Sequence, residues 1–128
     1  MLLPLRHPRT WLVIGWAMIA LAVLASLLPG QKLPVTGIND KFEHALAYTV
    51  LALWFAGIYP RSRYLIIGIG LVLLGIAIEW AQGAMSLGRQ SDFRDVIANT
   101  GGIALGLTLA MTWLGGWAQR IDGWTRDS

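Results

Sequence analysis

From Thr10 to Gln31 the chain runs for twenty-two residues without a charged side chain, and a stretch of that kind constrains the fold more than any other feature. A helix rises about 1.5 Å per residue and the hydrocarbon core of a bilayer is about 30 Å thick, so about 20 apolar residues suffice to cross it. A cleaved signal peptide is the competing reading, but its apolar region typically holds about 7 to 15 residues. Here the run is longer and ends in Pro29-Gly30 instead of a small-x-small cleavage site. Composition agrees, since 55% of the 128 residues are hydrophobic and 13% charged, whereas about a quarter of a soluble chain is charged. The ten Lys and Arg residues are scattered in pairs, a pattern of membrane loops and not of a nucleic-acid surface. No cysteine is present, which excludes a disulfide framework and thiolate metal ligation.

The next two uncharged segments, Ala45 to Pro60 and Tyr64 to Ile78, are too short to cross alone. The first gains length by starting at Asp40, with Asn39 or Asp40 as N-cap; the second gains it by running on through Glu79 and Gln82. A last segment runs from about Asp95 to Trp113. The expected fold is therefore all-α and a single integral membrane domain. It has four transmembrane helices at about 10–30, 40–59, 64–83 and 95–115, short loops, a polar tail at about 116–128, and both termini on one side.

Helical spacing sorts the polar residues. Asp40, His44 and Tyr48 lie at i, i+4 and i+8, on a face that Glu43 does not share, and Glu79 and Gln82 are i, i+3 neighbours. Asp95, Asn99, Gly102 and Gly106 follow i, i+4, i+7, i+11, so the polar pair and a Gly-x-x-x-Gly groove share one inward face. Because successive spans alternate in direction, the start of the second, the end of the third and the start of the fourth lie at one membrane depth. Three helices thus bring ionisable side chains to a common level, where burial is expensive and such groups turn inward and mark a site.

Charge counts orient the bundle. Arg6, Arg9, Arg61, Arg63, Arg120 and Arg126 fall on one side, and Lys32, Lys41, Arg89 and Arg94 on the other. Positive residues collect on the cytoplasmic side, so both termini are expected in the cytoplasm of a multi-pass protein of the plasma (inner) membrane, with the polar group facing outward.

The pattern Asp40-Lys41-x-x-His44-x-x-x-Tyr48, then Glu79-x-x-Gln82, then Arg89-x5-Asp95-x3-Asn99-x2-Gly102-x3-Gly106 resembles the VanZ-like family. These are small bacterial membrane proteins named for a member linked to resistance to the glycopeptide antibiotic teicoplanin. The resemblance covers about Asp40 to Gly106, with departures: Ala45 follows His44 where an aromatic residue is common in the family, and Asp92 and Arg94 belong less securely to the shared pattern. It implies a plasma-membrane location and a cell-envelope role, and it supplies no reaction.

Three functions fit the polar group. It is read first as a pocket for a lipid-linked or amphiphilic envelope ligand, contributing to a teicoplanin-type antibiotic response. Asp40, Lys41, His44, Tyr48, Glu79, Gln82, Arg89, Asp92, Asp95 and Asn99 are the candidate ligand-binding residues. Arg89 is the natural anion anchor, since guanidinium holds phosphate or carboxylate bidentately, and Lys41 adds a point charge. The second reading is a membrane-embedded hydrolase acting on a lipid-linked phosphate, with His44, Glu79 and Asp95 as candidate catalytic residues. The third is a purely structural polar network without a ligand, fixing helix register. An enzyme is the less favoured reading and no metal or cofactor is expected. The other histidine, His7, lies on the opposite side, and no His-Glu-x-x-His or Gly-x-Ser-x-Gly motif occurs.

The expected partners are membrane lipid, a lipid-linked precursor or an amphiphilic antibiotic. A homodimer is a further option through Gly102 and Gly106, whose first expected role is packing within the chain. The tryptophans are expected to serve as interfacial anchors, and the tail around Trp117 to Trp124 to lie along the cytoplasmic surface.

Overall fold

The computed structural model describes residues 2–27, 40–85 and 93–126, with side chains described for all of these except 40, 41, 85 and 123–126. Within them the chain is almost entirely helical, without a strand. Helix α1 spans Pro8–Leu27, α2 Asp40–Ile58, α3 Tyr64–Met85 and α4 Phe93–Leu109. Helix α4 continues into a wider π-helical turn over Ala110–Leu114, and a final helix, α5, spans Trp117–Arg126. Proline at the first position of α1 suits a helix start, where its missing N–H would have no partner in any case. The predicted N-cap Asn39 lies outside the described residues, and Asp40 is the first helical residue.

Three of the helical segments, Pro8–Leu27, Arg61–Ala84 and Phe93–Leu114, are long and apolar enough to cross a membrane. Among the residues with described side chains, the apolar stretch of α2 is the shorter Phe42–Ile58. Large apolar side chains face outward along these helices, Val13 at 66% exposure and Leu65 at 74% among them. Helix α1 buries only Gly15. Apolar surface on this scale is a liability in water and ordinary in lipid.

The core sits where α2 meets α4 and α3. Tyr48, Leu51 and Ala52 of α2 pack against Leu71 of α3 and Ile103 of α4, with Met18, Ile19 and Ala22 of α1 closing over them. The Gly-x-x-x-Gly groove of α4 is filled from within the chain. At Gly102 a side-chain carbon would stand 2.2 Å from the carbonyl oxygen of Ala45, and at Gly106 it would stand 2.7 Å from that of Thr49. Only glycine lets the two backbones approach so closely. Thr49 completes the seam, its hydroxyl lying 2.7 Å from Ala45 O and 3.0 Å from Gly102 O across the helix pair.

The last ten helical residues, Trp117–Arg126, pack against the other end of the chain. Helix α5 buries Ala118 and Asp122 one turn apart, and the N-terminal segment lies against it. The Leu3 amide donates to Ile58 O at 2.8 Å, giving a partner to a carbonyl in the last turn of α2. Gln119 Nε2 donates to Pro4 O at 3.2 Å. The Arg6 amide and the Trp11 indole, the latter at 3.2 Å, both donate to the Asp122 carboxylate. Both described ends of the chain therefore meet beside the C-terminal end of α2. Tryptophans 11, 54 and 117 meet there as well, with ring centroids 5.2 to 5.6 Å apart. Each indole N–H is satisfied, Trp54 by Trp11 O and Trp117 by Leu53 O. Trp80 and Trp113, by contrast, stand exposed, as interfacial anchors do.

A pH dependence follows from this arrangement. Burial alone pushes the Asp122 carboxyl up, but the Arg6 amide, the Trp11 indole and the nearby His7 more than offset this and hold it below the usual carboxylate range. A carboxyl depressed in the folded state stabilises fully above its unfolded value of about 4, and that contribution is lost as pH falls through the folded value. Tryptophan fluorescence followed from pH 6 down to pH 3 is expected to report release of the N-terminal segment toward the acid end. In Asp122→Asn that acid transition should disappear, the segment being already loosened at pH 6.

Candidate functional site

The end of the bundle away from the termini collects the polar side chains. Here α2 and α4 begin and α1 and α3 finish. The close α2–α4 seam sets the register, so that one turn beyond the Gly102–Ala45 contact the His44 ring faces α4. His44 Nδ1 lies 3.1 Å from Asn99 Oδ1. An amide oxygen can only accept, so the ring N–H at Nδ1 is the donor. Nε2 then points toward Asp95, 3.8 Å from Oδ2. His44 is held between an amide that fixes its tautomer and a carboxylate that faces its second nitrogen. That arrangement serves to orient an imidazole for gaining or losing a proton. The histidine side chain keeps 13% exposure, while Asp95 and Asn99 are buried.

Helix α3 joins through Gly75. A side-chain carbon at Gly75 would stand 2.9 Å from Asn99 Nδ2 and 3.5 Å from the Tyr48 hydroxyl. Gly75 is thus the floor on which the Asn99 amide and the Tyr48 phenol rest. One turn further along α3, Glu79 is buried and lies within Coulomb range of Tyr48. His44, Tyr48, Glu79, Asp95 and Asn99 therefore converge from three helices, as the spacing predicts.

Gln82 goes elsewhere. It is nearly inaccessible, and its amide donates to the carbonyl of Ser26 at 2.7 Å. That carbonyl belongs to the last turn of α1, where no helical partner remains, so Gln82 fastens α1 to α3. Arg89 and Asp92 lie outside the described residues, as do the side chains of Asp40 and Lys41. Among the described residues no three His, Asp or Glu side chains are grouped to hold a metal ion.

Three contributors escape the sequence reading. Gly75 carries a signal in retrospect, since it stands one turn before Glu79 on the same face. Thr49 has the weaker signal of a hydroxyl beside Tyr48 in an apolar run. Ser26 contributes only a backbone carbonyl, which no side-chain pattern announces.

Protein-family models, curated proteins and solved structures were each compared with the chain, and none matches it.

Proposed function

We propose that the chain is a VanZ-like membrane protein of four spans, with α2 as the fourth and both termini in the cytoplasm. Its polar end faces outward and binds the head of a lipid-linked or amphiphilic envelope ligand, contributing to a teicoplanin-type response. The observation that carries this reading is that the His44 ring lies against the buried side chains of Asn99 and Asp95 at one end of an apolar bundle. Ionisable groups at such a depth are costly, about 2.5 to 3.5 kcal/mol each on insertion scales, and usually mark a site. The imidazole and amide offer directional hydrogen bonds, and Arg89, close to Asp95 in the sequence, is the proposed anion anchor.

The absence of cysteine from the sequence makes the orientation directly measurable. A single cysteine at Ser62, between α2 and α3, is expected to resist a membrane-impermeant maleimide on intact cells and to react once they are opened. Labelling of intact cells at full rate reverses the orientation.

The ligand reading is tested with undecaprenyl phosphate as probe, its binding to purified protein read by native mass spectrometry. His44→Gln and Asp95→Asn are expected to weaken it by about 10- to 100-fold, the range of a lost charge-assisted hydrogen bond worth about 1.5 to 3 kcal/mol. Teicoplanin tolerance of cells carrying either variant should fall to that of cells lacking the protein, at equal membrane levels. Unchanged binding and tolerance, together with a lowered melting temperature, leave the polar group a structural network and remove the reading.

A further inference from the structure

At the opposite end from His44 the structure carries a second feature, which the polar cluster does not use. A groove of about 520 Å³ runs between α1, α2 and α3. Arg63, in the 3-10 turn that leads into α3, and Ile66, Ile67, Gly70, Leu71 and Leu74 of α3 line it, at the i, i+3, i+4, i+7, i+8, i+11 spacing of one helical face. Trp16 and Ile19 of α1 and Phe55 of α2 form the other walls, with Tyr59 beside Arg63. Trp16 meets Phe55 edge-on at 6.0 Å, and Phe55 stacks on Tyr59 at 6.5 Å, so the aromatic wall is continuous. From Arg63 to Leu74 is eleven residues, about 16 Å at 1.5 Å per residue, which is the depth of one leaflet of a core about 30 Å thick.

Arg63 is the one arginine lining this groove among the described residues, whereas Arg61 and Arg120 line a separate cleft and are committed there. Arg61 donates to Met111 O in the π-helical turn, and Arg120 donates to Trp113 O and Gly115 O at 3.1 and 2.9 Å. Among the described residues, the Arg63 guanidinium has neither a hydrogen-bond nor an ion-pair partner, and it is exposed. A leaflet-deep apolar slot therefore ends at an uncommitted cation that recognises phosphate in a fork geometry.

We propose that this groove holds one acyl chain of an anionic glycerophospholipid, its phosphate seated at Arg63. The site is distinct from the ligand site around His44. It rests on the membrane-spanning part of the function proposed above and not on that function's ligand. The charge argument selects the headgroup: a zwitterionic lipid offers the same chain, but its own ammonium competes for the phosphate that Arg63 would bind.

The test uses the full chain in neutral detergent with an equimolar mixture of dioleoyl phosphatidylglycerol and dioleoyl phosphatidylcholine, bound lipid being read by native mass spectrometry. Wild type is expected to retain one phosphatidylglycerol in about fivefold preference, the ratio corresponding to roughly 1 kcal/mol per cation at an anionic surface. Arg63→Gln should abolish the preference. Gly70→Phe should remove bound lipid of both kinds by filling the slot, and it suits the purpose because a side-chain carbon at Gly70 meets nothing within 4 Å. A second readout keeps the test open if Gly70→Phe misfolds. Phosphatidylglycerol brominated on its acyl chain should quench wild-type tryptophan fluorescence more than that of Trp16→Phe.

Equal retention of the two lipids by wild type, a preference that survives in Arg63→Gln, or quenching that does not depend on Trp16 overturns the proposal. His44→Gln should leave phosphatidylglycerol retention intact; its loss there places the lipid at the other end and likewise overturns it. Carbonate extraction of membranes reads the spanning premise separately, and release into the soluble fraction fails that premise whatever the lipid data.

Discussion

Gly102→Ala is expected to destabilise the protein by about 3 kcal/mol, at the upper end of what overpacking a tight interior costs. The added methyl carbon would stand 2.2 Å from the Ala45 carbonyl oxygen, with the Ala45 carbonyl carbon and Cα also within 3.0 Å. These are backbone atoms, so no side chain can swing aside and the two helices must separate. Gly106→Ala meets Thr49 O at 2.7 Å and the Ala52 methyl at 2.9 Å, and its effect should be smaller. Gly101→Ala meets nothing within 4 Å, so it isolates helix propensity, which favours alanine by up to about 1 kcal/mol. Thermal melts in detergent, followed by circular dichroism, should rank Gly102→Ala lowest, Gly106→Ala next, and Gly101→Ala at or above wild type. Equal melting of all three removes the packing account of the α2–α4 seam. The effect reaches the site as well, because Asn99 and Gly102 share the face of α4 that meets α2. Parting the helices should break the 3.1 Å contact between His44 and Asn99, so Gly102→Ala should behave in ligand assays like His44→Gln.

The second large effect is expected at Gly57. A side-chain carbon there would overlap the Trp117 indole, standing 2.1 Å from Nε1 and 2.4 Å from Cε2. Gly57→Ala therefore expels the ring, breaks its 2.7 Å hydrogen bond to Leu53 O and separates it from Trp11 and Trp54. Helix α5 has little else in the way of apolar anchorage, Ala118 being its one buried hydrophobic residue among those described. Loss of about 2 kcal/mol of local stability should accelerate trypsin cleavage after Arg120 by roughly 30-fold, provided that opening and closing are fast relative to cleavage. Trp117→Ala should give a similar acceleration, and the double variant little more than either alone, since both remove one contact. Fully additive rates would show that Gly57 acts elsewhere.

The long helices are legible in the sequence because a lipid-facing helix must be apolar all round, and an uncharged run is a signal that local context cannot disguise. The polar face of α4 is legible for a related reason. Asp95, Asn99, Gly102 and Gly106 repeat with a helical period inside an apolar segment, and all four are buried. The same logic stops short at Gln82, whose face is read correctly but whose partner is a backbone carbonyl of α1. A side-chain pattern names a direction and not the carbonyl that waits there. Helix α5 is hidden more completely. Its meaning depends on Arg6 and Trp11, 116 and 111 positions away, and Asp122 in a polar stretch looks like any solvated acid. The mouth groove is illegible too, because Gly70 and Arg63 acquire a role only through the α1 and α2 walls opposite them.

The Arg6–Asp122 contact also has a temporal side. Ribosomes emit a chain in order, at about 5 to 20 residues per second, so Arg6 emerges many seconds before the acid that receives it. During that interval the leading segment must remain unlatched while the apolar helices form. The latch can close only once Asp122 has emerged, so a product truncated before Asp122 would leave the Arg6 segment unsecured.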